Sequence, residues 1–217
     1  MSDGRVVVVV GNPKPRSRTL ALGELVAGRI GALGASSGWP TDVIDLAEVG
    51  PSLLGWGDPA VTELKASVTA ARAVVVASPT YKATYTGLLK LFLDQFDAGE
   101  LGGVPAVAVM TGGDRGHSLA VDVHLVPVLA EIGASCPTRG LFVAGAEIDD
   151  PADAIDRWLT TWERPLAAAL AASSIPPPDS PQHGSGPARR ADDVIAAVVR
   201  ERAHPAESTL GGQTPAA

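Results

Sequence analysis

Cysteine is almost absent from this sequence: Cys136 is the only one in 217 residues. No intrachain disulfide can form, so the fold must hold by its own core, and a reducing interior suits it. Aromatic residues are scarce, at 4%, and Trp39, Trp56, Trp158 and Trp162 show no stacking ladder for bases. Basic charge is in the minority: 17 Lys and Arg stand against 24 Asp and Glu, for a formal net charge of −7. That argues against a nucleic-acid grip, which needs clustered cations, but leaves room for a small basic pocket. The apolar run in MSDGRVVVVVG is too short for a membrane span or a secretion signal. A cytoplasmic protein with no membrane or nucleic-acid partner is expected. His117 and His124 show no ligand spacing with a Cys or a carboxylate pair, so no metal site is expected either.

What the sequence has instead is alternation. Up to about Ala172, short β-branched runs take turns with longer segments of helical period. The runs are 5–11 (RVVVVVG), 41–46 (TDVIDL), 73–78 (AVVVAS), 104–112 (VPAVAVMTG) and 138–145 (TRGLFVAG). Continuous Val with little polar alternation suits strands buried on both faces. The helical segments are 17–33, 58–72, 86–97, 117–133 and 149–172. Asp58-Pro59 and Asp150-Pro151 each read as an N-cap followed by Pro at the first helical position, and Gly133 as a helix stop. The alternation predicts an α/β fold: a flavodoxin-like, doubly wound, five-stranded parallel sheet of order 2-1-3-4-5 with helices on both faces. Ligands of such a sheet sit at the carboxyl ends of its strands, near the switch point between the first and third. That edge is built from residues 11–19, 78–86 and 111–117. The domain takes up 1–172. Beyond it, 173–190 is rich in Pro, Ser and Gly and reads as a disordered linker; 191–203 (ADDVIAAVVRERA) reads as one short helix, and the remainder to 217 as a loose tail. The extension is either dispensable or carries a helix that docks on a neighbouring subunit.

The first loop, GNPKPRSRT (11–19), holds Lys14, Arg16 and Arg18, with Ser17 and Thr19 at a helix start. The free N–H groups of a first turn form an anion site, the two hydroxyls can cap it and reach phosphate oxygens, and Arg18 can add a charge-assisted contact. Neither GxGxxG nor a GK[ST] ending is present, which points to a phosphate monoester rather than a pyrophosphate. The same residues also fit an ordinary capped helix with its cations in water. In the second loop, SPTYKATYT (78–86), Ser78-Pro79 carries the chain out of the sheet. Thr80 and Tyr81 stand at the switch point, where backbone N–H groups can meet a planar heterocycle and a Tyr ring can pack on one, and Lys82 adds a positive charge. Thr84 and Tyr85 fall between this loop and the core stripe Leu88, Leu89, Leu91, Phe92 and Phe96, and belong to either; Lys90 and Asp94 form a surface pair. In the third loop, TGGDRGH (111–117), Gly112 and Gly113 allow close backbone approach to a ligand, Thr111 offers a hydroxyl and His117 sits near a helix start. No catalytic nucleophile–base set is legible and Cys136 reads as a small core residue, which leaves the chemistry to a cofactor.

SPTYKATYTGLLKLFLD (78–94), taken with GNPKPRSRT and the pattern TGG…H…AVD…L…PVL, resembles the NAD(P)H-dependent FMN reductases, above all those that supply reduced flavin to two-component sulfonate monooxygenases. The resemblance runs over roughly residues 5 to 170. It implies a flavodoxin-like fold that binds FMN at this edge, with NADPH or NADH as co-substrate. By it, Ser17, Arg18 and Thr19 hold the 5′-phosphate, with Asn12 nearby. Pro79, Thr80, Tyr81 and Lys82 line the isoalloxazine and ribityl side; Thr111, Gly112 and Gly113 approach the ring; His117 lies near the nicotinamide. Hydride passes from nicotinamide C4 to flavin N5, and the protein's task is to stack the two rings. The resemblance also implies a homo-oligomer, dimer or tetramer, and a flavin-dependent monooxygenase as partner. A tightly FMN-bound quinone or azo reductase and a flavodoxin-like electron carrier are the alternatives; the basic, Pro-containing first loop counts against the carrier. Two departures stand out. The family's first loop commonly reads Gly-Ser-Pro-Arg, and here it is Gly11-Asn12-Pro13-Lys14, without the planar fork of Arg. Some members of the sulfonate branch carry a Tyr after the AVD triplet, in a widened helical turn; here Val123 and His124 follow Asp122.

Overall fold

Five consecutive valines make a strand because each has something apolar to face. The computed structural model describes residues 4–34, 38–173 and 190–203. In it β1 (Val6–Val10) is flanked in parallel by β2 (Thr41–Asp45) and β3 (Ala73–Pro79); β4 (Ala106–Gly112) and β5 (Leu141–Ala144) follow, in the order β2-β1-β3-β4-β5. The central pairing runs Val6 to Ala73 through Val10 to Ala77. Val6, Val8 and Val10 pack with Val75 and Ala77 under α1 (Arg18–Gly34) and α6 (Ala152–Ala172). Val7 and Val9 face the opposite layer, with α2 (Leu46–Val49), α3 (Pro59–Thr69), α4 (Gly87–Leu93) and α5 (Val126–Glu131). A sheet covered on both faces has no use for polar alternation, hence the valines.

Local chemistry sets the helix ends. Asp58 caps α3, its Oδ1 accepting from Ala60 N at 2.9 Å, with Pro59 in the first turn as the sequence suggested. The same expectation at Asp150-Pro151 does not hold. Pro151 itself is the N-cap of α6, with no side-chain cap bond, and the helix starts at Ala152. Gly133 does stop α5: its φ is +95°, and an added Cβ would lie 2.6 Å from Gly99 Cα. The segment expected as one helix over 117–133 is broken. A short 3-10 turn (Arg115–His117) precedes a widened π turn (Val121–Leu125), and only then does α5 begin. Pro127 has no N–H to give Val123, and its ring crowds that carbonyl, so the ladder shifts: Val126 N–H reaches back to Val121 O. The widened turn therefore persists with Val123 in place of Tyr. Asp122 ties it to the chain before β5, accepting from Gly140 N and from Arg139 Nη2, each at 2.8 Å.

A further helix, α7 (Ala191–Ala203), follows the domain. Ala191, Val194, Ile195 and Val198 lie buried on the core of this same chain, against β2, α2 and α3, so the helix docks on its own chain, where the two readings were a dispensable extension or a helix docked on a neighbouring subunit. Residues 174–189 of the expected linker and the tail from 204 lie outside the described residues.

Candidate functional site

Three loops meet at the carboxyl ends of β1, β3 and β4 around a cavity of about 660 Å³, inside the range of small-ligand sites. The first loop builds itself from its own side chains. Asn12 Oδ1 accepts from Lys14 N at 3.0 Å, and Asn12 Nδ2 donates to Thr19 Oγ1 at 3.2 Å. Arg16 sits in left-handed backbone, φ +50°, and its N–H donates to Asp45 Oδ2 at 3.1 Å. A residue held there costs conformational energy, and Asp45 at the end of β2 supplies the restraint. Burial holds the Asp45 carboxyl above its usual range, against the lowering effect of the hydrogen bonds from Arg16 and Ala47. Ser17 caps α1, its Oγ accepting from Leu20 N at 3.2 Å, which leaves the hydroxyl proton to donate to an anion.

Thr19 is 2% exposed and binds inward. Its hydroxyl joins Asn12 to Thr111 Oγ1, the latter at 3.2 Å, and so locks the first loop to the third. The second loop is a two-residue hairpin: Tyr81 N donates to Thr84 O at 2.8 Å, and the two tip residues, Lys82 and Ala83, have φ of +52° and +67°. Thr80 N donates to Thr111 O at 2.7 Å. The amides of Thr80 and Tyr81, expected to face a heterocycle, are thus taken up by the fold. The group left over is Thr80 Oγ1, the one buried side-chain polar atom among the described residues without a partner. Thr86 secures the base of the hairpin, donating to the Gly11 carbonyl and accepting from Leu89 N at 3.1 Å. Tyr85 packs on the core, so it belongs with the helix stripe.

Asn12, Ser17, Arg18, Thr19, Pro79, Thr80, Tyr81, Thr111, Gly112 and Gly113 all line this one cavity. Lys82 and His117 do not; both are exposed, one at the hairpin tip and one in the 3-10 turn. Lys14, Arg16, Gly145 and Ile148 also line it and were not singled out as ligand contacts from the sequence. The last two come from the turn after β5 (Gly145–Ile148), a fourth loop. Extending the carboxyl-end rule to the edge strand would have found it. The wall carries Lys14, Arg16 and Arg18 and no carboxylate, in a chain of net charge −7. With the first turn of α1 beside them, these cations suit a phosphate.

The family model described as NADPH-dependent FMN reductase matches residues 4–148. The chain belongs to this family. It is an oxidoreductase that uses FMN and a reduced nicotinamide. The reductase is 33% identical over 181 residues to the NADH-dependent FMN reductase SfnF of Pseudomonas putida, covering 76% of this chain and 96% of that one. It is 30% identical to an FMN reductase (NADPH) of Escherichia coli K12, over 67% of this chain and 76% of the relative. Among solved structures it is similar to an apo NADH:FMN oxidoreductase (EMOB), at a TM-score of 0.68 and 29% identity, over 80% of this chain and 92% of that one.

The residues present fit FMN. The cationic wall at α1 offers the phosphate a seat, and Thr80 Oγ1 is a buried polar atom awaiting a partner. A Cβ on Gly113 would meet nothing within 4 Å, while one on Gly112 would lie 2.6 Å from the Phe142 ring. Glycine at 112 lets β4 end close against β5, and the backbone at 113 opens onto the cavity.

Proposed function

We propose that this reductase takes FMN from solution, reduces it with NADH or NADPH, and releases reduced FMN to a flavin-dependent monooxygenase. Bound FMN supplies the acceptor for the two-electron hydride of the nicotinamide. In this reading the N-terminal turn of α1, the Ser17 hydroxyl and Arg18 bind the phosphate. Thr80 Oγ1 orients the ring system from the second loop. Gly112 and Gly113 let the third loop approach it closely, and the exposed Tyr81 ring is available to pack on it. From outside the cavity wall, Lys82 serves the isoalloxazine and ribityl side and His117 the nicotinamide side. The observation that carries the reading is the cationic wall facing the double-glycine loop.

The phosphate end is shallow, with the Arg18 side chain 66% exposed, which suits a flavin that enters and leaves. Exposed Tyr81, Leu91, Leu119 and Val123, on the hairpin, α4 and the segment around the π turn, support a homo-oligomer, dimer or tetramer, formed beside the site. The reading places the enzyme in the cytoplasm, where the lone Cys136 thiol stays reduced. Among the described residues no helix is long and apolar enough to cross a membrane.

Steady-state oxidation of NADH and of NADPH, measured against added FMN, tests the proposal. Saturable dependence on free FMN is expected. Turnover of a quinone without any dependence on added FMN would replace the reading with a tightly flavin-bound quinone reductase.

A further inference from the structure

We propose that Asp149 sets how tightly the reductase holds the FMN phosphate, by competing with it for Arg18. The inference rests on the reading that Arg18 meets that phosphate. After β5 the chain passes through Gly145, φ +58°, and Ile148, which line the cavity. The next residue, Asp149, places Oδ1 2.8 Å from Arg18 Nη1. Both side chains are 66% exposed; Arg18 lines the cavity and Asp149 does not, so the pair stands at the cavity mouth. Among the described residues, Arg18 is the one cavity cation whose side chain has a carboxylate partner; Lys14 and Arg16 have none. The protein thus keeps a negative group on the cation that the phosphate needs.

The fourth loop does not depend on that pair. Glu147 anchors it separately, accepting from Arg115 and, at 2.7 Å, from Arg157. Asp149 N–H closes a turn on Ala146 O at 3.2 Å through the backbone. Removing the charge at 149 while keeping the side-chain shape therefore leaves the loop in place. A phosphate arriving at the first turn of α1 must take Arg18 from Asp149 or share its fork, and in either case a carboxylate within reach repels the dianion. Riboflavin has no phosphate and is indifferent to the exchange. Asp149 acts through Arg18 as a positioning residue that holds FMN affinity down and favours release.

The test is a fluorescence titration of the full chain with FMN and with riboflavin, for the wild type, D149N, R18A and the double variant. D149N is expected to tighten FMN about two- to five-fold, the reach of an exposed ion pair, and to leave riboflavin unchanged. The gain should shrink as salt rises and vanish in the R18A background. Unchanged or weaker FMN binding by D149N, an equal gain for riboflavin, or a gain that survives R18A would overturn the proposal. If R18A weakens FMN alone while D149N changes nothing, only the role of Asp149 falls. If R18A weakens FMN and riboflavin equally, the phosphate assignment falls and takes this inference with it.

Discussion

Thr86→Val probes the joint that holds two of the cavity loops together. The Thr86 hydroxyl is buried, donates to the Gly11 carbonyl and accepts from Leu89 N as the N-cap of α4. Valine has nearly the same shape, so no cavity opens, and the loss is polar. Removing the cap costs about 1 kcal/mol. Depriving the Gly11 carbonyl of this buried donor costs about 1–3 kcal/mol more. The sum, about 2–4 kcal/mol, shifts a urea midpoint by roughly 1–2 M at an m-value of about 2 kcal/mol/M. Thr86→Ser keeps both hydrogen bonds and gives up one methyl, for about 0.8 kcal/mol. Equilibrium urea unfolding of the three proteins, fitted with a shared m-value, reads the difference. A valine variant within about 0.5 kcal/mol of wild type, or a serine variant that loses as much as valine, would refute the assignment of the hydroxyl as the joint.

Other consequences follow from backbone and burial. Ala83 is exposed at the hairpin tip in left-handed backbone. Ala83→Gly should therefore raise stability by about 0.5–1 kcal/mol, and a lower melting temperature would contradict the strain. Gly133→Ala should cost at least about 2 kcal/mol, because a left-handed φ and a backbone contact to Gly99 act together; near-native stability in denaturant would count against that stop. Burial pushes the Cys136 thiol up from 9.0 to about 11. At pH 8 its thiolate should be about 100-fold rarer than in the unfolded chain, and thiol alkylation should speed up by that order on adding urea. Because the folded thiol holds its proton to higher pH, its contribution to stability is full below pH 9.0 and is lost as pH rises through about 11. Equal alkylation rates in folded and unfolded protein would contradict the burial.

The sheet and most of the cavity could be read in the residues because their signals are local. Val6–Val10 states a two-sided strand, Asp58-Pro59 states a helix start, and the carboxyl-end rule brings residues 11–19, 78–86 and 111–117 to one edge. What escaped depends on partners far away in sequence. Thr19 lines the cavity as expected, but that its hydroxyl also meets Thr111, 92 positions on, was not visible in the sequence. The amides of Thr80 and Tyr81 look free until the pairings with Thr111 and Thr84 appear. The π turn left one local trace, Pro127, whose missing N–H forbids a regular ladder through 123. The buried face of α7 was also written locally, in Ala191, Val194, Ile195 and Val198 at helical spacing, but the surface that would receive it was not.

The central claim, that FMN binds among these loops with its phosphate on the first turn of α1, is met most directly by a crystal structure of the reductase grown with FMN. The account predicts phosphate density against Ser17 and Arg18, and the ring system between Pro79–Tyr81 and Thr111–Gly113. Flavin density in the groove between α1 and α7, lined by Arg16, Glu24 and Arg200, or a phosphate turned away from α1, would contradict it.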